Sequence, residues 1–310
     1  MTNALWISIT ALIAGLVIYD LFWRYQGRFD LKTYLKASNN EIFLTFDDGP
    51  DVADKLWGDT ADEVKQAEKV ILGIDPGWDF TASIDENLLR TLDEFDAKAI
   101  FFIQGQQVDG NKEAHAIVKK MMENGHVIGN HFYSHHKYFQ LSKTECINEI
   151  SKTDHILEKL TGHKPVLYRP PYGLWSLSLS FMMWANRLLN HYLFPLGWSH
   201  CTFDWNEPAI SLNESKIRYS VNNMIAMFHR AQQPCVVLQH DVWVYCVLFT
   251  RIMLERIKSD VSLRIGNPEH ILAAYADARR RPFPVEVLKY YLCGRLAAIA
   301  SRVKRIRGKV

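Results

Sequence analysis

Cysteine is scarce and unpaired in this chain: Cys146, Cys201, Cys235, Cys246 and Cys293 are odd in number, and no two form a CxxC spacing. That excludes a disulfide-framed scaffold and fits reduced thiols. Glycine and proline are also sparse, 16 and 11 of 310 residues, which excludes collagen-like and low-complexity classes. Nor is there a charge excess: a net +2 gives no global pull toward polyanions, so nucleic acid is not an expected partner. What remains, with 48% hydrophobic residues, is a globular chain able to bury one large α/β domain plus extensions.

Lysine and arginine are absent ahead of the longest apolar run. From Ala4 to Trp23 the sequence reads ALWISITALIAGLVIYDLFW, with Asp20 as its only charge. That is long enough to span a bilayer, and Trp6, Tyr19, Phe22 and Trp23 sit near its ends as interfacial anchors would. No basic leader precedes it and no small-residue cleavage site follows, against a removed signal peptide. Arg24, Arg28, Lys32 and Lys36 come after the run. The charge asymmetry therefore predicts a single-pass inner-membrane anchor over 1–24, with the body facing the cytoplasm. At the other end, 276–310 reads as a basic amphipathic tail. Arg295, Arg302, Lys304, Arg305, Arg307 and Lys309 lie near Leu296, Ile299, Val303 and Ile306, a pattern suited to an anionic membrane leaflet.

Between these ends, over 25–275, short apolar runs alternate with amphipathic stretches. EIFLTF, AKAIFFIQG, GHVIGNHF, PVLYRPPYG, LFPLGWSH and PCVVLQHD are strand candidates; Ile84 to Phe95, Asn111 to Asn124, Ser142 to Thr161 and Ser215 to Ala231 carry apolar residues at helical spacing. Strand followed by helix, repeated, predicts a parallel sheet or barrel, whose active groups gather at the carboxyl ends of the strands. The polar residues fall there: Asp47 with Asp48, His131 with His135, Arg169 with Tyr172, Asp204 with Trp205, and His240 with Asp241. The long connection 51–83 reads as an insertion that caps part of the mouth.

TFDDGP sets two carboxylates side by side at a strand end, where they repel each other unless something compensates. In NHFYSHH, His131 and His135 are four apart, a spacing that on one helical turn points both imidazoles the same way. One of the two aspartates added to that pair completes a two-histidine, one-carboxylate site for a divalent metal, which zinc, cobalt, nickel and manganese all fit. The other aspartate is then available as a general base if a cation such as Arg169 orients it. Hydrolysis of an amide further requires an acid for the leaving nitrogen and a donor for the oxyanion.

TFDDGP, HFYSH, RPPYG, DW and LQHD, in this order over roughly Glu41 to Asp241, resemble the NodB-type polysaccharide deacetylases, carbohydrate esterase family 4. The resemblance implies a distorted (β/α) barrel. It implies Asp47 as base, Arg169 as its orienting partner, and Asp48, His131 and His135 as ligands of a divalent metal, zinc first. It further implies the Tyr172 N–H as oxyanion donor, His240 as acid and Asp204 as the group tuning that histidine. Pro171, Tyr172, Trp205 and Leu238 would line the acetyl and sugar pocket. Two departures stand out. Cys201 sits where many relatives carry an earlier aspartate, and the apolar LWSLSLSFMMWANRLL follows RPPYG where a polymer-binding groove would be polar.

That apolar wall, the inferred orientation and the basic tail lead to the expectation of an N-acetylated amino sugar on a polyprenyl phosphate, handled at the cytoplasmic membrane face as in lipid A decoration. A periplasmic deacetylase of peptidoglycan or an exopolysaccharide is the alternative. A catalytically dead sugar-binding module is the second, weakened by the presence of Asp47, Arg169 and His240.

Overall fold

The computed structural model describes residues 40–52, 82–205, 214–231, 233–283 and 285–289, with the backbone of Tyr25 and Gln26. The expected span 1–24, most of the insertion 51–83 and the tail beyond 289 lie outside the described residues. Among the described residues no helix is long and apolar enough to cross a membrane.

The organising strand is β2 (Glu41–Asp47), whose seven residues are all buried. A strand buried on both faces belongs in the middle of a parallel sheet covered by helices, and its β-branched and aromatic content suits that place. It pairs in parallel with β3 (Ala99–Ile103) on one side and β7 (Cys235–His240) on the other. β4 (Val127–Asn130) extends the sheet beyond β3, and β6 (His200–Cys201) beyond β7. A short β8 (Arg264–Ile265) pairs with the foot of β2. Separately, β1 (Tyr25–Gln26) pairs antiparallel with β5 (Leu174–Trp175).

The sheet curls. Tyr168 bridges Asn130 in parallel, the Leu196 N–H donates to the Tyr168 carbonyl, and the Ser199 and Thr202 N–H groups donate to Val236 and Leu238 of β7. Backbone contacts thus run round a ring, the distorted barrel expected from the sequence, with Tyr168 and Leu196 standing where regular strands are lacking. PVLYRPPYG and LFPLGWSH supply these irregular staves, because their prolines cannot donate to a ladder.

Side-chain alternation then separates two cores. Ile42, Leu44 and Phe46 of β2 face outward, with Phe101 of β3 and Val237 of β7, against the helices α1 (Ile84–Glu94), α3 (Lys112–Glu123), α6 (Glu214–Arg230) and α7 (Val244–Lys258). Phe43, Ile100, Phe102 and Val236 face inward with Tyr168, Phe194 and Leu196. Thr45 and Asp47 share the inward face of Phe43. Burying each large apolar side chain contributes roughly 1.5–3 kcal/mol.

The helix starts are written locally. Ser83 and Glu86 form a capping box on α1, and Ser142 and Glu145 do so on α4 (Lys143–Thr161), which ends at Gly162 with φ 82. The remaining helices are α2 (Gly105–Val108), α5 (Leu177–Trp184) and α8 (Glu269–Arg279). α7 was not among the helices read from the sequence. It is apolar on nearly every side, so its periodicity is faint.

Candidate active site

The carboxyl ends of the strands meet at one mouth of the barrel. Asp47 closes β2 on the inward face and is buried. Asp48 leaves strand geometry with φ 78, a left-handed conformation that aspartate tolerates better than most residues. The two neighbours therefore diverge. Asp48 Oδ1 lies 3.1 Å from Nε2 of His131 and 3.1 Å from Nε2 of His135, whereas the Asp47 carboxylate turns to Arg169.

The helical turn expected to align His131 and His135 is absent. The segment after β4 is a loop in which Phe132 (φ 64) and His135 (φ 60) are both left-handed. Those two reversals, rather than helical periodicity, bring the imidazoles to 5.3 Å between ring centroids.

One nitrogen or oxygen from each of Asp48, His131 and His135 lies within 4.8 Å of the others. Asp48 Oδ1 is buried and has no hydrogen-bond partner. His131 Nδ1 is 2.8 Å from the Arg169 carbonyl, which can only accept, so Nδ1 carries the proton and the Nε2 lone pair faces Asp48. An orphaned carboxylate oxygen beside an imidazole lone pair is a donor set that a divalent cation satisfies. Burial would raise the Asp48 carboxyl, but hydrogen bonds and charge from the two imidazoles outweigh it wherever Nε2 carries the proton, and hold the group well below the usual carboxylate range. Asp48 is thus a carboxylate, available to a cation.

Arg169 is fully buried and every arm of its guanidinium is used. Nη1 donates to Asp47 Oδ1 at 2.6 Å and to Thr45 Oγ1 at 2.9 Å; Nε and Nη2 donate to the Leu196 and Gly197 carbonyls. The plane stacks 4.2 Å above the Phe102 ring. A guanidinium fixed by its other arms holds Asp47 Oδ1 through one short charged bond. Thr45, to which the sequence reading gave no role, donates in turn to the Val237 carbonyl. Its only sequence signal is a hydroxyl within an otherwise apolar strand.

Across the β2–β7 pair, His240 is the register partner of Asp47. Asp204 grips it twice: Oδ1 lies 2.7 Å from Nδ1, and Oδ2 accepts the His240 backbone N–H at 2.8 Å. Burial pulls the imidazole down, but the bond and charge of Asp204, with Asp47 and Asp48 nearby, raise it to about 9. Trp205 approaches the His240 ring edge-on at 5.2 Å and is 47% exposed. Leu238 is buried one alternation below His240 on the same face of β7.

Pro170 and Pro171 lack N–H groups, so Tyr172 is the first backbone donor after Arg169. It takes φ 61, and its ring packs 4.7 Å from that of His135. Next to it, Gly173 has φ 62, and a Cβ there would meet the Trp198 ring at 2.1 Å. Only glycine fits.

Beneath the aspartate loop lies a second acid pair that the sequence reading left without a role. Gly49 rests on the Asp241 carboxylate, where a Cβ would come within 2.3 Å of Oδ2, and Asp85 Oδ2 accepts the Asp51 N–H at 2.9 Å. Burial first raises Asp85, to about 8, and burial followed by the charge of Asp85 raises Asp241. A raised acid contributes stability that is complete below its unfolded value of 3.8 and is lost as pH rises through about 8. Asp85→Asn keeps the acceptor for Asp51 and removes a proton site. It is expected to flatten the loss of stability between pH 4 and 8, read from urea unfolding at several pH values.

Residues 35–183 match the polysaccharide deacetylase family; Asp204 and His240 lie beyond that segment. Over 172 residues, 53% of the chain, the sequence is 33% identical to a peptidoglycan-N-acetylglucosamine deacetylase of Bacillus cereus, covering 46% of that protein. Over 222 residues, 72% of the chain, it is 26% identical to such a deacetylase of Listeria monocytogenes, covering 37% of it. The chain thus spans less than half the length of these curated relatives. Among solved structures, a peptidoglycan deacetylase of Bacillus subtilis superposes with a TM-score of 0.52 at 22% identity, over 78% of this chain and 96% of that one. The chitin deacetylase of Colletotrichum lindemuthianum gives 0.55 at 20%, over 76% and 89%. The matched segment is less than half of the chain, and the superpositions show that the chain shares the fold of these deacetylases.

Proposed function

We propose that this protein is a divalent-metal-dependent N-deacetylase of N-acetylated amino sugars, acting on a peptidoglycan-type glycan. The observation that carries the chemistry is the register pairing of Asp47 with His240, each held by its own buried partner, beside the converging Asp48, His131 and His135. The relatives that support the substrate are deacetylases named for peptidoglycan.

Asp48, His131 and His135 would hold the cation, which when bound polarises the acyl carbonyl and acidifies water. Asp47, fixed by Arg169, takes the proton from the attacking water. The backbone N–H of Tyr172 donates to the oxyanion. His240, protonated at neutral pH, gives its Nε2 proton to the departing amine while Asp204 holds Nδ1. Trp205, Leu238, Pro171 and Tyr172 form the apolar and aromatic wall for the acetyl methyl and the sugar.

The alkaline side of the activity profile follows from the His240 pair. With Asp204→Asn the negative partner is lost, so the histidine releases its proton at lower pH. The alkaline limb of kcat/KM is expected to move from near 9 toward neutrality. A limb that stays in place would assign the acid to another group.

A catalytically dead binding module has no use for a positioned base and a separate acid on adjacent strands. The polyprenyl-linked substrate rests on the apolar stretch after Gly173 and on two end segments outside the described residues, and the relatives favour the glycan polymer instead. A peptidoglycan substrate puts the barrel on the outer side of the membrane, the reverse of the orientation read from Arg24, Arg28, Lys32 and Lys36. Incubating the protein with peptidoglycan fragments, soluble N-acetylglucosamine oligomers and polyprenyl-linked N-acetyl sugars, with mass spectrometry of each, tests this reading. Loss of acetyl from the fragments supports it, and loss from the lipid-linked sugar alone overturns it.

A further inference from the structure

The loop that carries the two histidines is held from outside the site. His131 N–H donates to the Ile103 carbonyl at 2.9 Å, at the end of β3. The next three N–H groups go to side chains. Phe132 N–H donates to Asn130 Oδ1 at 2.7 Å, and Tyr133 and Ser134 N–H groups both donate to Glu149 Oε2, at 3.1 and 2.7 Å. Glu149 Oε1 accepts the Ser134 hydroxyl at 2.7 Å. The carbonyls of Phe132 and Tyr133 accept from Gly105 and Gln106 at the start of α2, at 2.8 and 2.9 Å.

Asn130 is itself fixed. Its amide donates to the Ile150 carbonyl at 2.9 Å and to Asp154 Oδ1 at 2.7 Å, and Asp154 also accepts from the Tyr192 hydroxyl. Glu149, Ile150 and Asp154 all belong to α4. Two left-handed residues, Phe132 and His135, make this loop conformation costly, so it persists only where surrounding bonds overdetermine it. Backbone bonds to Ile103 of β3 and from Gly105 and Gln106 of α2 supply part of them, and the Glu149 side chain of α4 takes the Tyr133 and Ser134 N–H groups.

We propose that Glu149 is a positioning residue for the cation site. Glu149 holds the backbone between the two histidines, and Asp154 sets Asn130, the residue before His131. This rests on the reading of Asp48, His131 and His135 as ligands. Glu149 is only half-buried, so Glu149→Ala is expected to fold, whereas Asp154→Ala removes the acceptor of a buried hydroxyl and amide.

The experiment uses the full chain in detergent. Dissociation constants for Zn²⁺ and Co²⁺ are measured by competition with a chelating dye, together with the visible absorption of the cobalt form and the melting temperature of the metal-free protein. Glu149→Ala is expected to weaken binding about 10–100-fold, the range for loss of an outer partner of a metal ligand, and to alter the cobalt spectrum. Glu149→Gln keeps an acceptor for both N–H groups and is expected to restore most of the affinity. Equal affinities and spectra in wild type and Glu149→Ala overturn the positioning role alone, as does a variant whose only change is a lower metal-free melting temperature. A wild type without affinity for either ion overturns the ligand assignment as well.

Discussion

An Asp47→Asn protein should bind its cation as the wild type does and lose about 10²–10⁴-fold in kcat/KM, the usual contribution of a positioned general base. The amide oxygen still accepts from Arg169 Nη1, so the side chain keeps its place, but it cannot take a proton. Asp47 is 4.0 Å from His131 Nε2 and outside the converging ligand set, which is why metal content should not follow activity down. Arg169 then becomes a buried cation without its carboxylate. Stability should fall, by as much as about 3–5 kcal/mol, so activity is read per folded molecule. Wild-type turnover in Asp47→Asn would remove the base from this residue.

Asp48→Asn is expected to act on the other half of the site. The substitution preserves shape and removes the one ionised ligand, whose oxygen faces both imidazoles at 3.1 Å. Cation affinity should drop by more than the roughly 10–100-fold typical of outer partners, and activity should match that of chelated wild type. Raising the metal concentration should recover part of it. Metal affinity and activity thus fall together in Asp48→Asn and separate in Asp47→Asn. Adjacent aspartates with opposite signatures would be hard to produce from a purely structural turn.

Much of this site is legible in the sequence because TFDDGP, HFYSH and LQHD each lie at a strand end. EIFLTF and PCVVLQHD are continuous apolar runs of the kind a doubly covered parallel strand requires, and they lie side by side with Asp47 opposite His240. The helical stretches Ile84 to Phe95 and Ser142 to Thr161 start where the structure starts them, at the caps Ser83 and Ser142. NHFYSHH shows the limit of that reasoning. A four-residue spacing suggests a helical turn, but the pair meets through two left-handed residues, and a left-handed phenylalanine has no signature in sequence. Glu149, 14 residues beyond His135, was equally invisible: an acid on an amphipathic helix reads as solvated until the helix is docked under the loop. Arg169 drew attention through RPPYG, whereas its four-way satisfaction by Asp47, Thr45, Leu196 and Gly197 depends on barrel closure, which no local pattern encodes.

The most direct test is acetate release from N-acetylglucosamine oligomers derived from peptidoglycan. It would use purified protein as isolated, after chelation, and after Zn²⁺ or Co²⁺ is restored, with free amine counted on the same sample. One amine per acetate, abolished by chelator and returned by metal, is the predicted result. Release that survives chelation, or metal-dependent acetate without a matching amine, would contradict amide hydrolysis at Asp47, Asp48, His131, His135 and His240.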